Sequence, residues 1–291
     1  MLLAEIFNTE IISCDARQFY RELSIGTSSP DKQMLDNIQH HFIGHLSVWN
    51  SYSAGDYQKD AFKKLNELFT RLPIVLMVGG SGLYGKVITD GMDYFPFISK
   101  EVSIDLHMQL KNNGLMPLQE ELKKKDPIYF KTVDSNNFHR IIRSLEVIRS
   151  SNRSFSSFKK KNTIDHYFHI LKICLNLTRD VLYDNINKRV ESMIKCGFLE
   201  EAQQCYPYRH LNALQTIGYK EIFNYFDGKI SFDKAIEEIK KNTRRYAKRQ
   251  LTWYKKEKKL QWFIAYHENE IVEYVIATIN DKMSYFFWYS L

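Results

Sequence analysis

Short apolar runs ending in polar or glycine-rich residues alternate with amphipathic stretches in the first third of the chain. Ile11-Ile12-Ser13 runs straight into Asp15, and Pro73 to Val78 runs into Gly79-Gly80-Ser81-Gly82. Runs this short and this apolar suit strands buried on both faces of a parallel sheet. A helical pattern follows each of them, which is α/β grammar. From about residue 99 to 166 strand signals stop, charge rises, and apolar positions recur at Phe138, Ile141, Leu145 and Ile148, as on one face of a helix. The predicted organisation is an α/β core of residues 1–98 and 167–291 with a helical insertion at 99–166. His169 to Leu175 reads as a strand returning to the sheet. Thr178 is placed to cap the next helix, with Asp180 in its first turn and Gly197 at its end. The last third reads as mostly helical, with Ser231 capping a long basic helix.

Composition narrows the class. A 291-residue chain that is 44% apolar can bury a core of its own. Its four cysteines, Cys14, Cys174, Cys196 and Cys205, are scattered without a Cys-x-x-Cys pair. That usage predicts free thiols in a reducing cytoplasm. The opening MLLAEIFNTE lacks the basic and long apolar regions of a signal peptide, and no apolar run is long enough to span a bilayer. The aromatic SYFFWYSL at the C-terminus is too short to span and is expected to pack against the body. No membrane partner and a cytoplasmic location are expected.

Charge is the most local feature. Lys240 to Lys259 reads KKNTRRYAKRQLTWYKKEKK and carries +9, against +7 for the whole chain, so the remainder sums to −2. With Tyr246, Trp253 and Tyr254 interleaved, the segment suits a surface that holds a polyanion and stacks on bases. A solvated helix face is the alternative.

Four places could carry chemistry. Asp15, in SCDARQ beyond a strand end, can act as a general base, bind magnesium or cap a helix. Arg17 and Gln18 beside it are donors suited to phosphate or nucleic acid. VGGSGLY, Val78 to Tyr84, is strand, glycine loop and helix start. Its backbone N–H groups and the Ser81 hydroxyl could cradle an anion, or it could be an ordinary tight turn. Arg189 shares a helical stripe with Leu182, Ile186 and Met193. A cation there needs an anionic partner, either a structural carboxylate or a substrate phosphate. Arg140 and Arg143, with His139 and Asn137 beside them, could read RNA backbone, although salt bridges to Glu146 are the favoured reading. The nine histidines form no metal pair on one face, and no protein-held zinc is expected.

Taken in order, EIISCDARQFYRELSIGTSSP, HHFIGHL, YSAGDYQKDA, VGGSGLY, NNFHRIIRSLEV, LYDNINKRVESMIKCGFLEE, LQTIGYKEI and NTRRYAKRQLTWYKK resemble the tRNA dimethylallyltransferases, nearly collinearly from about Ala4 to Phe263. The resemblance implies a P-loop-kinase-like α/β core and a helical insertion that grips the anticodon stem-loop of tRNA. It implies transfer of a prenyl group from dimethylallyl diphosphate to N6 of the adenosine 3′ of the anticodon (position 37), with Mg²⁺, by a monomer. In that family the match gives Asp15 as proton acceptor, Ser81 in the place of a usual Thr, and Arg189 as a diphosphate contact, with Gly79 and Gly80 in the diphosphate loop. The tRNA-facing positions it implies begin with Asp15, Ala16, Arg17, Gln18 and Ser81. Ser103 and the run His139, Arg140, Ile141, Ile142 and Arg143 follow. Next come Gln215, Thr216, Ile217, Gly218, Tyr219 and Lys220. The last group is Lys248, Arg249, Gln250, Leu251, Thr252, Trp253, Tyr254 and Lys255.

The chain departs from the family pattern in places. Ala16 replaces a Ser, Ser103 stands where an Arg is expected, and Asn185 replaces an Arg one turn before Arg189. Family members begin with a strand and a Gly-x-x-x-x-Gly-Lys-Thr loop ahead of the helix in which Met1 falls. A parallel sheet without that strand is expected to lose a central partner. A start codon misassigned downstream of both is the expectation. The alternative is a catalytically silent tRNA-binding protein. A prenyltransferase acting on free adenine nucleotides is disfavoured, because a mononucleotide needs neither the insertion nor the basic segment.

Overall fold

The computed structural model describes residues 1–159, 164–257, 259–279 and 285–290, the last as backbone only. Two compact units emerge: Met1–Thr89 with Asp165–Leu291, and Asp90–Ile164.

The first unit is built on a six-stranded sheet in which every pair is parallel. Its strands are β1 (Ile11–Ser13), β2 (His40–His41), β3 (Ile74–Val78), β4 (His169–Asn176), β5 (Leu260–Ile264) and β6 (Tyr285–Ser290), in the order β2-β1-β3-β6-β4-β5. Alternate residues of the strands serve two cores, as a period of two requires. Ile12, Val75 and Met77 face Tyr57, Leu65 and Phe19; Ile11, Leu76 and Ile173 face Ile271 and Val275. The Ala54–Leu68 helix starts at a capping box, Ser53 with Asp56, and buries Tyr57, Ala61, Leu65 and Leu68. Ser231 accepts from the Lys234 N–H and caps the helix Phe232–Tyr254, as expected. Thr178 precedes the Arg179–Lys195 helix without a side-chain cap bond, and Gly197 takes φ +95° at the far end.

Two features of the sheet differ from the sequence reading. β2 is a doublet of histidines. It is held because His41 pairs with Glu10 at 2.7 Å, and Arg71 also reaches Glu10 at 2.5 Å. The C-terminal run, expected to pack on the body, instead forms β6 in the middle of the sheet. Its backbone pairs with β3 in the register Ile74↔Tyr285 and with β4 in the register His169↔Tyr285. β6 thus lies between β3 and β4, and each of its neighbours is parallel to it.

The second unit is helical among its described residues. Lys100–Asn113, Met116–Lys125 and Phe138–Ser151 are its three longer helices, and Leu106, Leu118, Leu122, Ile141, Leu145 and Ile148 form its core with Phe155. Arg149 links the helices by an ion pair to Asp105 at 2.7 Å and a second to Glu121. Buried Asp126 accepts from the Tyr129 N–H at 3.0 Å and the Ser156 N–H at 2.7 Å, tying the segment after Ser154 to the bundle.

Candidate active site

In an open parallel sheet, ligands bind beyond the carboxyl ends of the strands. Here β1 and β3 end side by side, with Ser13 in register with Val78 and the Cys14 N–H donating to the Val78 carbonyl at 2.8 Å. That register brings the loop carrying Asp15 against the glycine loop although the two lie 65 residues apart. The Ala16 N–H donates to the Ser81 hydroxyl at 3.1 Å. The Arg17 N–H donates to Asp15 Oδ1 at 2.9 Å, a local turn that holds the carboxylate. A Cβ on Gly79 would stand 2.7 Å from the Cys14 carbonyl carbon, so the close approach of these loops requires glycine. At Gly80 a Cβ would run into the Gln250 amide, which donates to the Gly80 carbonyl at 2.9 Å.

These loops open on a cavity of about 1510 Å³ that is also lined by Gln18, Asn185, Arg189, Gln215, Asn242, Tyr246 and Arg249. Arg189 comes from the Arg179–Lys195 helix, whose Ile186, Val190 and Met193 are buried and turn the guanidinium toward the cleft. Solvent reaches Arg189 through the cleft. Its pKa is nonetheless lowered from the ordinary guanidinium value, chiefly by the protein around it, with the Asp15 carboxylate pulling the other way. Among the described residues its hydrogen bond goes to the Thr27 carbonyl at 3.4 Å, not to a carboxylate. Of the two partners open to Arg189, the structural ion pair is therefore not the one formed.

Tyr246 belongs to this site although the sequence reading took it only as part of the basic segment. It is 38% exposed and lines the cavity together with Ser81. Burial, then the Asp15 carboxylate, push its pKa above the ordinary phenol value. No spacing signal could have singled it out, because its role depends on which helix face meets the glycine loop.

The basic helix divides along its length. Lys240 pairs with Glu191 at 2.7 Å and Lys241 with Glu238 at 2.9 Å, the solvated-face reading. Lys248, Arg249 and Lys255 are exposed and, among the described residues, have no carboxylate in ion-pair range; Trp253 is exposed between them. Lys258 lies outside the described residues.

Four side chains of the segments matched to RNA-facing positions are buried, which corrects their reading as direct contacts. Ile141 and Ile142 are in the helical unit's core, and Tyr219 and Tyr254 are in that of the α/β unit. The helical period turns them inward while His139, Arg140, Arg143, Lys220 and Lys255 face out. Ser103 donates to Glu146 at 2.7 Å, and Arg143 pairs with Glu146 at 3.4 Å, the favoured alternative for that arginine. Arg17 is held by the Asn212 and Ala213 carbonyls at 3.1 and 3.2 Å, and so braces the start of the 215–220 segment. Gln215, Thr216, Ile217, Gly218, Leu251 and Gln250 line the cavity; Thr252 is exposed beside it.

A parallel sheet with a glycine loop, a carboxylate and an arginine gathered around a cleft beyond its strand ends defines an α/β protein of the P-loop-kinase-like class. Residues 18–257 match the IPP transferase family. The chain is 48% identical over 280 residues to a tRNA dimethylallyltransferase of Christiangramia forsetii, covering 96% of this chain and 92% of the relative. The solved tRNA isopentenylpyrophosphate transferase of Bacillus halodurans is 32% identical, with TM-score 0.69 over 95% of this chain and 90% of that one. A eukaryotic dimethylallyltransferase solved acting on tRNA shares the fold, with TM-score 0.79 at 24% identity over 96% of this chain and 74% of that one. The chain belongs to the IPP transferase family.

Proposed function

We propose that this protein transfers the dimethylallyl group of dimethylallyl diphosphate to N6 of the adenosine 3′ of the anticodon in tRNA. The observation that carries the reading is the gathering of Asp15, Ser81 and Arg189 around one cleft, with Arg189 unpaired by any described carboxylate. The exocyclic amine is a poor nucleophile while it keeps its proton. Asp15 takes that proton as N6 bonds to C1 of the prenyl group. The C1–O bond breaks, and its electron pair leaves with diphosphate. Arg189, the Ser81 hydroxyl and the Gly79-Gly80 backbone meet the charge that grows on the leaving group. The target base must leave its stack to reach the cleft, and the exposed Trp253 offers a face for neighbouring bases.

Among the described residues no group of three or more His, Cys, Asp or Glu is disposed to hold a metal. Beside the glycine loop the Ser81 hydroxyl would lend an oxygen to Mg²⁺ carried largely by substrate phosphates and water, which leaves the Asp15 carboxylate free to act as base. When bound, the ion neutralises charge on the diphosphate. The helical unit, with exposed His139, Arg140 and Arg143, is the part we assign to the anticodon stem-loop. A monomer in the cytoplasm completes the proposal.

The test is incubation of the full chain with an anticodon stem-loop and dimethylallyl diphosphate, read by mass spectrometry of the nucleosides. Asp15→Ala should abolish transfer while leaving stem-loop affinity nearly unchanged. AMP in place of the stem-loop should give no product. Transfer at the wild-type rate by Asp15→Ala would remove Asp15 from the role of base. Stem-loop binding by the wild type without any transfer would favour a silent tRNA-binding protein.

A further inference from the structure

Glu201, in the first turn of the Phe198–Cys205 helix, gathers four donors on one carboxylate. Oε2 accepts from the Ser24 hydroxyl at 3.0 Å and the Ile25 N–H at 2.8 Å. Oε1 accepts from the Gly26 N–H at 2.8 Å and the Tyr219 hydroxyl at 2.5 Å. All four donors are neutral, so the arrangement is a clamp on backbone and not an ion pair. The clamp is close, because a Cβ on Gly26 would overlap the Tyr219 hydroxyl. The turn it holds closes on itself, with the Ser28 N–H on the Ile25 carbonyl and the Ser29 N–H on the Ser24 carbonyl, both at 3.0 Å. Ser28 is bent to φ +50° within it.

This turn presents its carbonyls to the cleft. The Thr27 carbonyl accepts from Arg189 Nη2 and from Gln18 Nε2, each at 3.4 Å, and the Ser28 carbonyl accepts from Gln18 Nε2 at 3.2 Å. Gln18 Oε1 accepts from the Ser13 hydroxyl at 3.3 Å, whose oxygen accepts the Asp15 N–H at 3.2 Å. Hydrogen bonds and the short backbone of the turn thus link Glu201 to Arg189 and, through Gln18 and Ser13, to the backbone N–H of Asp15. The chemistry needs a carboxylate at its origin. An amide would aim an N–H at one of the two backbone N–H groups, and that donor would lose its partner.

We propose that Glu201 is a positioning residue for the diphosphate site, holding the Thr27 carbonyl where it aims the Arg189 guanidinium. The proposal rests on the reading of Arg189 as the diphosphate contact. The test measures the affinity of the full chain for inorganic pyrophosphate by calorimetry, beside thermal unfolding, in a double-mutant cycle. Glu201→Gln should weaken pyrophosphate binding about tenfold, the worth of one or two well-placed hydrogen bonds. In an Arg189→Ala background the same change should cost nothing further. A residue that only supports the fold would lower the unfolding temperature and leave pyrophosphate affinity of the folded protein as it was. Wild-type affinity in Glu201→Gln, or a loss that adds fully to that of Arg189→Ala, overturns the proposal. Should Glu201→Gln not fold, Ser24→Ala removes one donor from an exposed residue and is read in the same cycle, with about a twofold loss expected. A wild-type chain that binds no pyrophosphate refutes the diphosphate reading itself and this proposal with it. A wild type that binds, with both variants equal to it, refutes the positioning role alone.

Discussion

Adjacent glycines in the loop after β3 predict different outcomes for the same substitution. Gly79→Ala pushes a methyl into the backbone at Cys14, which cannot move without parting β1 from β3. It should destabilise the fold by about 1–3 kcal/mol, read as a shifted denaturant midpoint. Gly80→Ala meets the end of the Gln250 side chain, which can swing away. That variant should unfold near the wild-type midpoint yet lose prenyl transfer, because the loop's anion-facing backbone is then crowded. Equal stability losses at both positions would refute this distinction. Arg189→Ala should raise KM for dimethylallyl diphosphate by on the order of a hundredfold with tRNA affinity little changed, as expected of a charge-assisted contact to phosphate. The types and spacing of Asp15, Ser81 and Arg189 were readable from the chain, since each sits at a strand end or on an apolar stripe. Glu201, the place of Tyr246 in the cleft and the bond from Gln250 to the Gly80 carbonyl were not, because nothing local distinguishes a carboxylate, a phenol or an amide that acts across the fold.

Single elements hold or fail by their own packing and pairing. Leu145, fully buried in the helical unit, should cost about 2–5 kcal/mol as Leu145→Ala. Glu10 ties β2 and the turn after the Ala54–Leu68 helix to β1 through His41 and Arg71. Its pKa is lowered from 4.5, chiefly by the Arg71 hydrogen bond, with burial opposing. A carboxylate lowered on folding contributes stability above its unfolded pKa and loses that contribution as pH falls through the folded one. Glu10→Gln should therefore narrow the gap between stability near neutrality and stability below pH 4.5, measured by denaturant unfolding at both pH values. An unchanged gap would mean the pairing is offset by solvent screening. Element scale also shows where pattern reading falls short. β3 and β4 are long, apolar and bounded, and were legible. The His40–His41 strand has two residues, and its place depends on a carboxylate 31 positions from His41.

Across the whole molecule, the excess positive charge divides into a paired part and an unpaired part of one helix. Lys240 and Lys241 have carboxylate partners, while Lys248, Arg249 and Lys255 have none in range among the described residues. Removing Lys248 or Arg249 should weaken stem-loop binding at low salt and reduce the slope of log affinity against log salt by about 0.7–0.9 each. Lys240→Ala should leave that slope almost unaltered. Binding measured between low and moderate salt distinguishes the two halves, and equal slopes for all three variants would refute the division.

Short strands followed by helices, the helical run after residue 99, the glycine loop and the basic segment are all local patterns, so the chain by itself determined the fold class and most of the chemical groups. Collinear motifs determined the family. Register decided the rest. Only the pairing of Ser13 with Val78 brings Asp15 to Ser81, only the sheet order places β6 between β3 and β4, and only the packing of two helices aims Arg189 and Tyr246 at one cleft. The physical reason is range: periodicity and capping act over a few residues, whereas a site is assembled by contacts between segments far apart in the chain, 65 residues for Ala16 and Ser81.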